Sequence, residues 1–177
     1  TEALEVRFLA NQDKNLYFGL LTDFKDSVQE KAEDDDQLIQ AISKKIKELN
    51  EKYQRDNKDI FFLFHRPRKW NPTDRIWMGY ERKRGKLADL NALLRGGPEN
   101  AFSVIIGNTV LLSQTKYVIT LDTDTQLPRD SAHQFIGAMS HPLNKPKYDS
   151  IKRRVTEGYS ILQPRVAVSL PGTNRSR

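Results

Sequence analysis

Two carboxylates stand one residue apart, Asp122 and Asp124, in the stretch KYVITLDTDTQLPRD. They close an apolar run. On an extended chain, residues i and i+2 project to the same side, so the pair could aim both groups at one point just past a strand. Like charges this close are unfavourable unless a cation or a shared proton relieves them. The plain alternative is a turn or helix cap, positions that Asp and Thr favour.

Three chemistries compete with the cap. A calcium loop needs Gly at its sixth position and an acid at its twelfth; counted from Asp122, Leu127 and His133 stand there, so this reading fails. A haloacid-dehalogenase-type phosphotransferase would use Asp122 as nucleophile and Asp124 as acid. It would want Thr or Val where the chain has Gln126, an incomplete match. A divalent cation beside a nucleotide diphosphate needs hard oxygen ligands and open positions for the phosphates.

That third reading asks for positive charge nearby. RKRGKLADLN supplies Lys83, Arg84 and Lys86 around Gly85. A Gly at a helix start would let backbone amides face an anion, and the helix dipole would help. Basic helix starts are common, so its weight comes from its combination with LDTDT downstream. The charge of the whole chain is +6, and the segment from Arg66 to Arg95 holds nine Lys/Arg against three acids, which equals that excess. Such a local patch points to an anionic partner: nucleic acid, anionic lipid or a diphosphate. Trp70 and Trp77 flank this basic loop and resemble an aromatic–basic nucleic-acid surface. They could equally stack on a sugar, and the plain reading is loop packing. His65, His133 and His141 have no partners at metal-ligand spacing and are read as structural.

Several elements must position these groups. Glu2 to Leu9 carries apolar residues at helical spacing. LYFGLL and IFFLF are short continuous apolar runs, the mark of strands buried on both faces. Between them, residues 25–36 read as a charged loop. Leu38, Ile39, Ile42, Ile46 and Leu49 predict a helix over 37–53 with one apolar stripe. Residues 65–81 show no period and read as a long loop. GKLADLNALLRGG predicts a helix ended by Gly96, Gly97 and Pro98. FSVIIG and TVLL are short strand candidates, KYVITL is the best strand candidate in the chain, and GYSILQPRVAV is another. A helix is expected from about 130 to 140. Residues 166–177 read as a frayed tail. Strands alternating with amphipathic helices predict an α/β fold: a mainly parallel central sheet with helices on both faces. Ligands bind at the carboxyl ends of such strands. Asp23, Asp122 and Asp124 are therefore expected on one sheet edge.

A chain of 177 residues is expected to form a single domain over 1–177. With no cysteine, disulfides, thiolate metal sites and cysteine nucleophiles are excluded, which suits a reducing, cytoplasmic setting. The N-terminus lacks the layout of a signal peptide. The best apolar run, Phe102 to Leu112, is too short to span a bilayer, which needs about 20 residues.

LLTDF, KRGKLADLNALLRG and YVITLDTDTQLPRD, in that order, resemble the nucleotide-sugar-binding half of inverting glycosyltransferases with the GT-A fold. With HPLNKP and EGYSILQPRV added, the resemblance is to the glycosyltransferase region of cyclic β-1,2-glucan synthases and covers nearly the whole chain. The D-x-D alone is of modest specificity; the ordered set is highly specific. The resemblance implies a partial GT-A fold and transfer of glucose from UDP-glucose to a growing β-1,2-glucan with inversion. UDP-N-acetylglucosamine is a rival donor, and no nucleic acid is expected as a partner. By this likeness Asp23 contacts the uridine part of the donor. Lys86 and Asn91 lie in a G-K-x-x-x-L-N element beside it, with Arg84 adjacent. Asp122 and Asp124 hold Mg²⁺ or Mn²⁺ on the diphosphate. Asp26 and Asp89 stand near enough in sequence to join the site, though a solvated or capping role suits each. Gln163 and Arg165 belong to a family stretch to which no role is given. The likeness further implies an internal fragment of a larger enzyme at the cytoplasmic face of the bacterial inner membrane. In that picture a first nucleotide-binding strand precedes Thr1, the general base follows Arg177, and the isolated fragment lacks turnover.

Overall fold

A computed structural model describes residues 1–53, 56 and 58–166. Where a single domain was expected, the contacts divide the chain into two compact units, Thr1–Arg129 and Asp130–Arg177.

The first unit is built on a three-stranded sheet in the order β1 (Phe18–Asp23), β2 (Phe61–Arg66), β5 (Val104–Ile106). β1 and β2 are parallel, with Phe18 opposite Phe61 and Asp23 opposite Arg66. β5 runs antiparallel to β2. The sheet is therefore mixed, not mainly parallel. The apolar runs identified the strands but could not fix the direction of β5.

Helices do cover both faces. The sheet alternates its side chains, so β2 feeds two cores at once. Phe61 and Leu63 join Leu4 and Phe8 of α1 (Glu2–Ala10) and Ile46 and Leu49 of α2 (Asp35–Lys52). Phe62 and Phe64 join Phe102 and Leu112, with Leu90, Leu93 and Leu94 of α3 (Arg82–Leu94) packed against them. Every residue of β2 is buried, as its unbroken apolar run predicts.

The expected long loop at 65–81 contains a hairpin, β3 (Lys69–Asn71) and β4 (Ile76–Met78). The Asn71 side chain shapes its turn by accepting from the amides of Thr73 (3.0 Å) and Asp74 (3.3 Å). TVLL is a 3₁₀ turn, Thr109–Leu112, capped by the Asn108 side chain. The largest departure is KYVITL. Residues 116–121 join no sheet among the described residues, and Val118 is 51% exposed. Apolar patterning records the capacity to pair; pairing also needs a neighbouring edge at the right place.

The second unit holds α4 (Ser131–Ser140), a 3₁₀ turn and a hairpin of β6 (Lys147–Asp149) and β7 (Arg154–Glu157). Asn144 ties it together: its side chain donates to the Ala138 carbonyl (2.8 Å), and its own carbonyl accepts from Tyr159 N (2.9 Å). The strand expected at GYSILQPRVAV does not form over 158–166, where Ile161 and Val166 are exposed. Its last two residues, like the tail from 167 onward, lie outside the described residues. Among the described residues, no helix is long and apolar enough to cross a membrane.

Candidate functional site

β1 and β2 have equal length and end together, so Asp23 and Arg66 meet as cross-strand neighbours. Arg66 is buried, and all three nitrogens of its planar fork donate hydrogen bonds. Nε and Nη2 hold the two Asp23 oxygens at 2.8 and 3.2 Å. Nη1 holds Asp89 at 2.7 Å, and Nη2 also donates to the carbonyls of Tyr80 and Arg82 at 3.0 and 3.2 Å. Burial opposes the Arg66 charge, but the hydrogen bonds it donates to Asp23 and Asp89 outweigh that and raise its pKa. A buried, bidentate ion pair with further hydrogen bonds to the backbone is a rigid support. Asp89 is thus a part-exposed carboxylate paired with the buried Arg66.

Two close approaches let this support form. Gly79 lies against Asp23: a Cβ there would sit 2.6 Å from the carboxylate carbon. At Gly85 a Cβ would collide with the Tyr80 carbonyl and sit 3.0 Å from Arg66 Nη1. α3 begins at Arg82, so Gly85 is inside the helix and buried, not at its start. Its lack of a side chain serves packing on the Arg66 fork.

α3 then carries the basic residues past two acids. Lys86 reaches Asp23 (3.5 Å), and Lys83, one turn earlier, pairs with Asp122. Arg82 reaches Asp26 at 2.7 Å. Asp23 is nearly buried, whereas Asp122 and Asp124 are exposed. The structure thus gathers Asp23, Asp26, Lys83, Lys86 and Asp122 around the first turns of one helix. An open cleft of about 420 Å³ is lined by Asp23, Phe24, Lys25, Asp26, Arg82 and Lys86, a volume in the usual range for ligand sites. Arg84 instead reaches Glu81 on its own helix at 3.3 Å. Asn91 is exposed further along α3, and among the described residues no hydrogen bond or ion pair ties it to these acids. Gln163 and Arg165 are exposed in the second unit.

The acidic pair does not end a strand. Asp122 to Thr125 is a tight turn closed by Thr125 N donating to the Asp122 carbonyl (3.1 Å). The turn is held by α1. Arg7 Nη2 donates to the carbonyls of Asp122 (3.1 Å), Thr123 (3.2 Å) and Thr125 (2.6 Å). Asn11, fully buried, donates to the Leu127 and Pro128 carbonyls at 3.5 and 3.1 Å. Sequence reasoning missed Arg7 and Asn11, and no pattern in α1 marks them. It also missed Arg66, for which there was a signal: LLTD and LFHR align end to end with opposite charges last.

As a cation seat, the turn offers two exposed carboxylates. Among the described residues no group of three or more His, Asp or Glu forms a metal cluster. Two carboxylates fit a hard cation that shares its remaining positions with phosphate and water, and do not fit an all-protein cage.

His65 precedes Arg66 on β2. Its Nδ1 is 2.9 Å from the Thr22 hydroxyl, and Phe24 packs edge-on at 4.1 Å. Its Nε2 is buried without a hydrogen bond. Burial lowers its pKa from 6.5 to about 4, against the opposing charges of Asp23 and Asp35. It is a neutral packing residue, in line with its structural reading.

The basic segment is mostly neutralised from within. Six of its nine Lys/Arg (66, 68, 82, 83, 84 and 86) pair with acids of this chain. Arg68 is the deepest example. It clamps Asp35 and the carbonyls of Lys25 (2.6 Å) and Glu30 (3.2 Å), fixing the 25–35 loop.

No protein-family model matches the chain. A curated protein does: cyclic β-(1,2)-glucan synthase NdvB of Rhizobium meliloti (strain 1021) is 43% identical over 167 residues. The match takes in 94% of this chain but only 6% of that much longer protein. An identity this high over nearly the whole of this chain is the mark of common descent. The chain belongs to the cyclic β-(1,2)-glucan synthase family.

Proposed function

We propose that this chain is the donor-binding part of a glycosyltransferase of partial GT-A fold. In this reading it holds UDP-glucose for transfer to a growing β-1,2-glucan. The observation that carries the reading is the juxtaposition on α3: Lys86 on Asp23 and Lys83 on Asp122. The first turn of α3 carries Arg82, Lys83 and Arg84 and no acid. Cations at the positive end of a helix dipole are locally unfavourable, and a local rule is typically broken where function requires it. A bound diphosphate would reverse the penalty.

Asp122 and Asp124 would hold Mg²⁺ or Mn²⁺, which supplies charge neutralisation for the diphosphate when bound. Lys83, released from Asp122, would turn to the phosphates, and Lys86 with Arg82 would line their path. Asp23, fixed by Arg66, would contact the uridine side of the cleft. An acceptor hydroxyl then attacks the anomeric carbon from the face opposite UDP. The new C–O bond forms as the bond to UDP breaks, and the configuration inverts. We assign no general base to a residue of this chain. The whole protein would act on a glucan acceptor at the cytoplasmic face of the bacterial inner membrane.

Titration of UDP with and without Mn²⁺ tests the proposal. Metal-dependent UDP binding, lost in Asp124→Ala, is expected. Salt-sensitive RNA binding that ignores that substitution, with no metal-dependent UDP binding, would sink it. Competition between UDP-glucose and UDP-N-acetylglucosamine separates the two donors.

A further inference from the structure

A second cleft, of about 360 Å³, opens beside the hairpin and is lined by Lys69, Trp70, Pro72, Met78, Tyr80 and Arg82 among others. Arg82 lines the first cleft as well, so the two share a wall. Trp70 is 49% exposed and Tyr80 60% exposed. Large aromatics left open in a cleft are unusual in a protein that has apolar cores to fill.

The backbone that carries these rings is held in place. Trp70 stands opposite Trp77 across the hairpin, centroids 5.8 Å apart. Trp77 exchanges two backbone hydrogen bonds with Ser27, both 2.9 Å, which pin the hairpin to the loop that Arg68 clamps. The Tyr80 carbonyl is fixed by Arg66. Between the clefts, Glu81 and Arg82 both adopt left-handed backbone (φ 50° and 48°), strain that the surrounding contacts impose. The backbone that presents the rings is therefore preorganised, which reduces the ordering cost of binding.

We infer that this cleft is a saccharide subsite that takes the neutral glucan acceptor, stacking a glucose ring on Trp70 and Tyr80. A pyranose presents an apolar C–H face and a rim of hydroxyls. The aromatic walls suit the face, and Lys69, Glu81 and Arg82 offer both donors and acceptors to the rim. Charges of both signs suit a neutral ligand better than a polyanion. The shared wall at Arg82 would set the acceptor next to the donor. The identity of the ligand rests on the glycosyltransferase reading above; the existence of the cleft and its open aromatics does not.

The test is calorimetric titration of the full chain with a short linear β-1,2-linked glucose oligomer, beside UDP with Mn²⁺. The oligomer is expected to bind, with affinity reduced roughly tenfold or more in Trp70→Ala and largely kept in Trp70→Phe. Asp124→Ala should leave oligomer binding unchanged, and Trp70→Ala should leave UDP binding unchanged. Circular dichroism of each variant checks folding; Tyr80→Ala is the substitute where Trp70→Ala unfolds. Metal-dependent UDP binding without oligomer binding overturns the subsite and spares the donor reading. Oligomer binding that follows Trp70, without UDP binding, supports the subsite and overturns the donor reading. Oligomer binding indifferent to both aromatics, or Trp70-dependent binding of RNA in place of the oligomer, overturns the subsite.

Discussion

Asp23 and Asp122 both follow an apolar run, yet the structure treats them in opposite ways. Asp23 sits at the end of a real strand, nearly buried, with both oxygens held by a guanidinium that is itself buried. Asp122 sits in an exposed turn and meets one flexible lysine. At the first, the side chain is fixed. At the second, the backbone is fixed by Arg7 and the side chain is available. A site that must grip one part of a ligand rigidly and exchange partners at another has a use for both kinds of acid.

Four measurements can break this contrast. The largest effect is expected from Arg66→Ala, which leaves the nearly buried Asp23 with the longer Lys86 contact and removes the guanidinium from Asp89. Loss of one partner from a buried pair costs about 3–5 kcal/mol, read by urea denaturation. Arg66→Lys should recover little, because an ammonium cannot serve two carboxylates and two carbonyls as a planar fork does. A mild Arg66→Ala would mean that the buried end is not rigid.

The second is a pH effect at the same end. In the unfolded chain His65 takes a proton below about 6.5, but in the fold only below about 4. The unfolded state therefore binds more protons in that window, so stability falls as pH is lowered through it. The loss reaches up to about 3 kcal/mol by pH 4. His65→Gln should remove that part of the acid sensitivity, seen as a flatter plot of melting temperature against pH.

Third, Gly85→Ala drives a methyl group into the Tyr80 carbonyl. An overpacking penalty of about 1–3 kcal/mol is expected in the same denaturation assay. Smallest is Lys83→Ala. Its pair with Asp122 is exposed on both sides, so stability should change by less than about 1 kcal/mol. Metal-dependent UDP affinity should fall nonetheless. A large stability loss here would erase the distinction between the two acids.

Some of this was legible in the sequence. β2 announced itself because burial on both faces leaves an unbroken apolar run, and α2 because one buried stripe recurs at helical spacing. The rule that puts sites at strand ends singled out Asp23, and the basic run RKRGK singled out Lys86, but neither foretold that the two would pair. KYVITL misled because its residues record affinity for a sheet, while the edge it would need is a property of the rest of the fold. The short hairpins were hidden for another reason. β6 and β7 carry mostly polar and charged residues, and β3 and β4 are only three residues each. Arg7 and Asn11 act on backbone carbonyls, groups that every residue has, so no pairing of residue types could reveal them.

The grip of Arg7 on carbonyls has an engineering consequence. Because the turn at 122–125 is shaped through its main chain, the side chains it displays are cargo and not scaffold. The turn behaves as a socket. If the turn holds a cation as proposed, exchanging Asp124 for His would shift its preference from Mg²⁺ or Mn²⁺ toward metals that favour imidazole. The loop that presents them would not need to be redesigned.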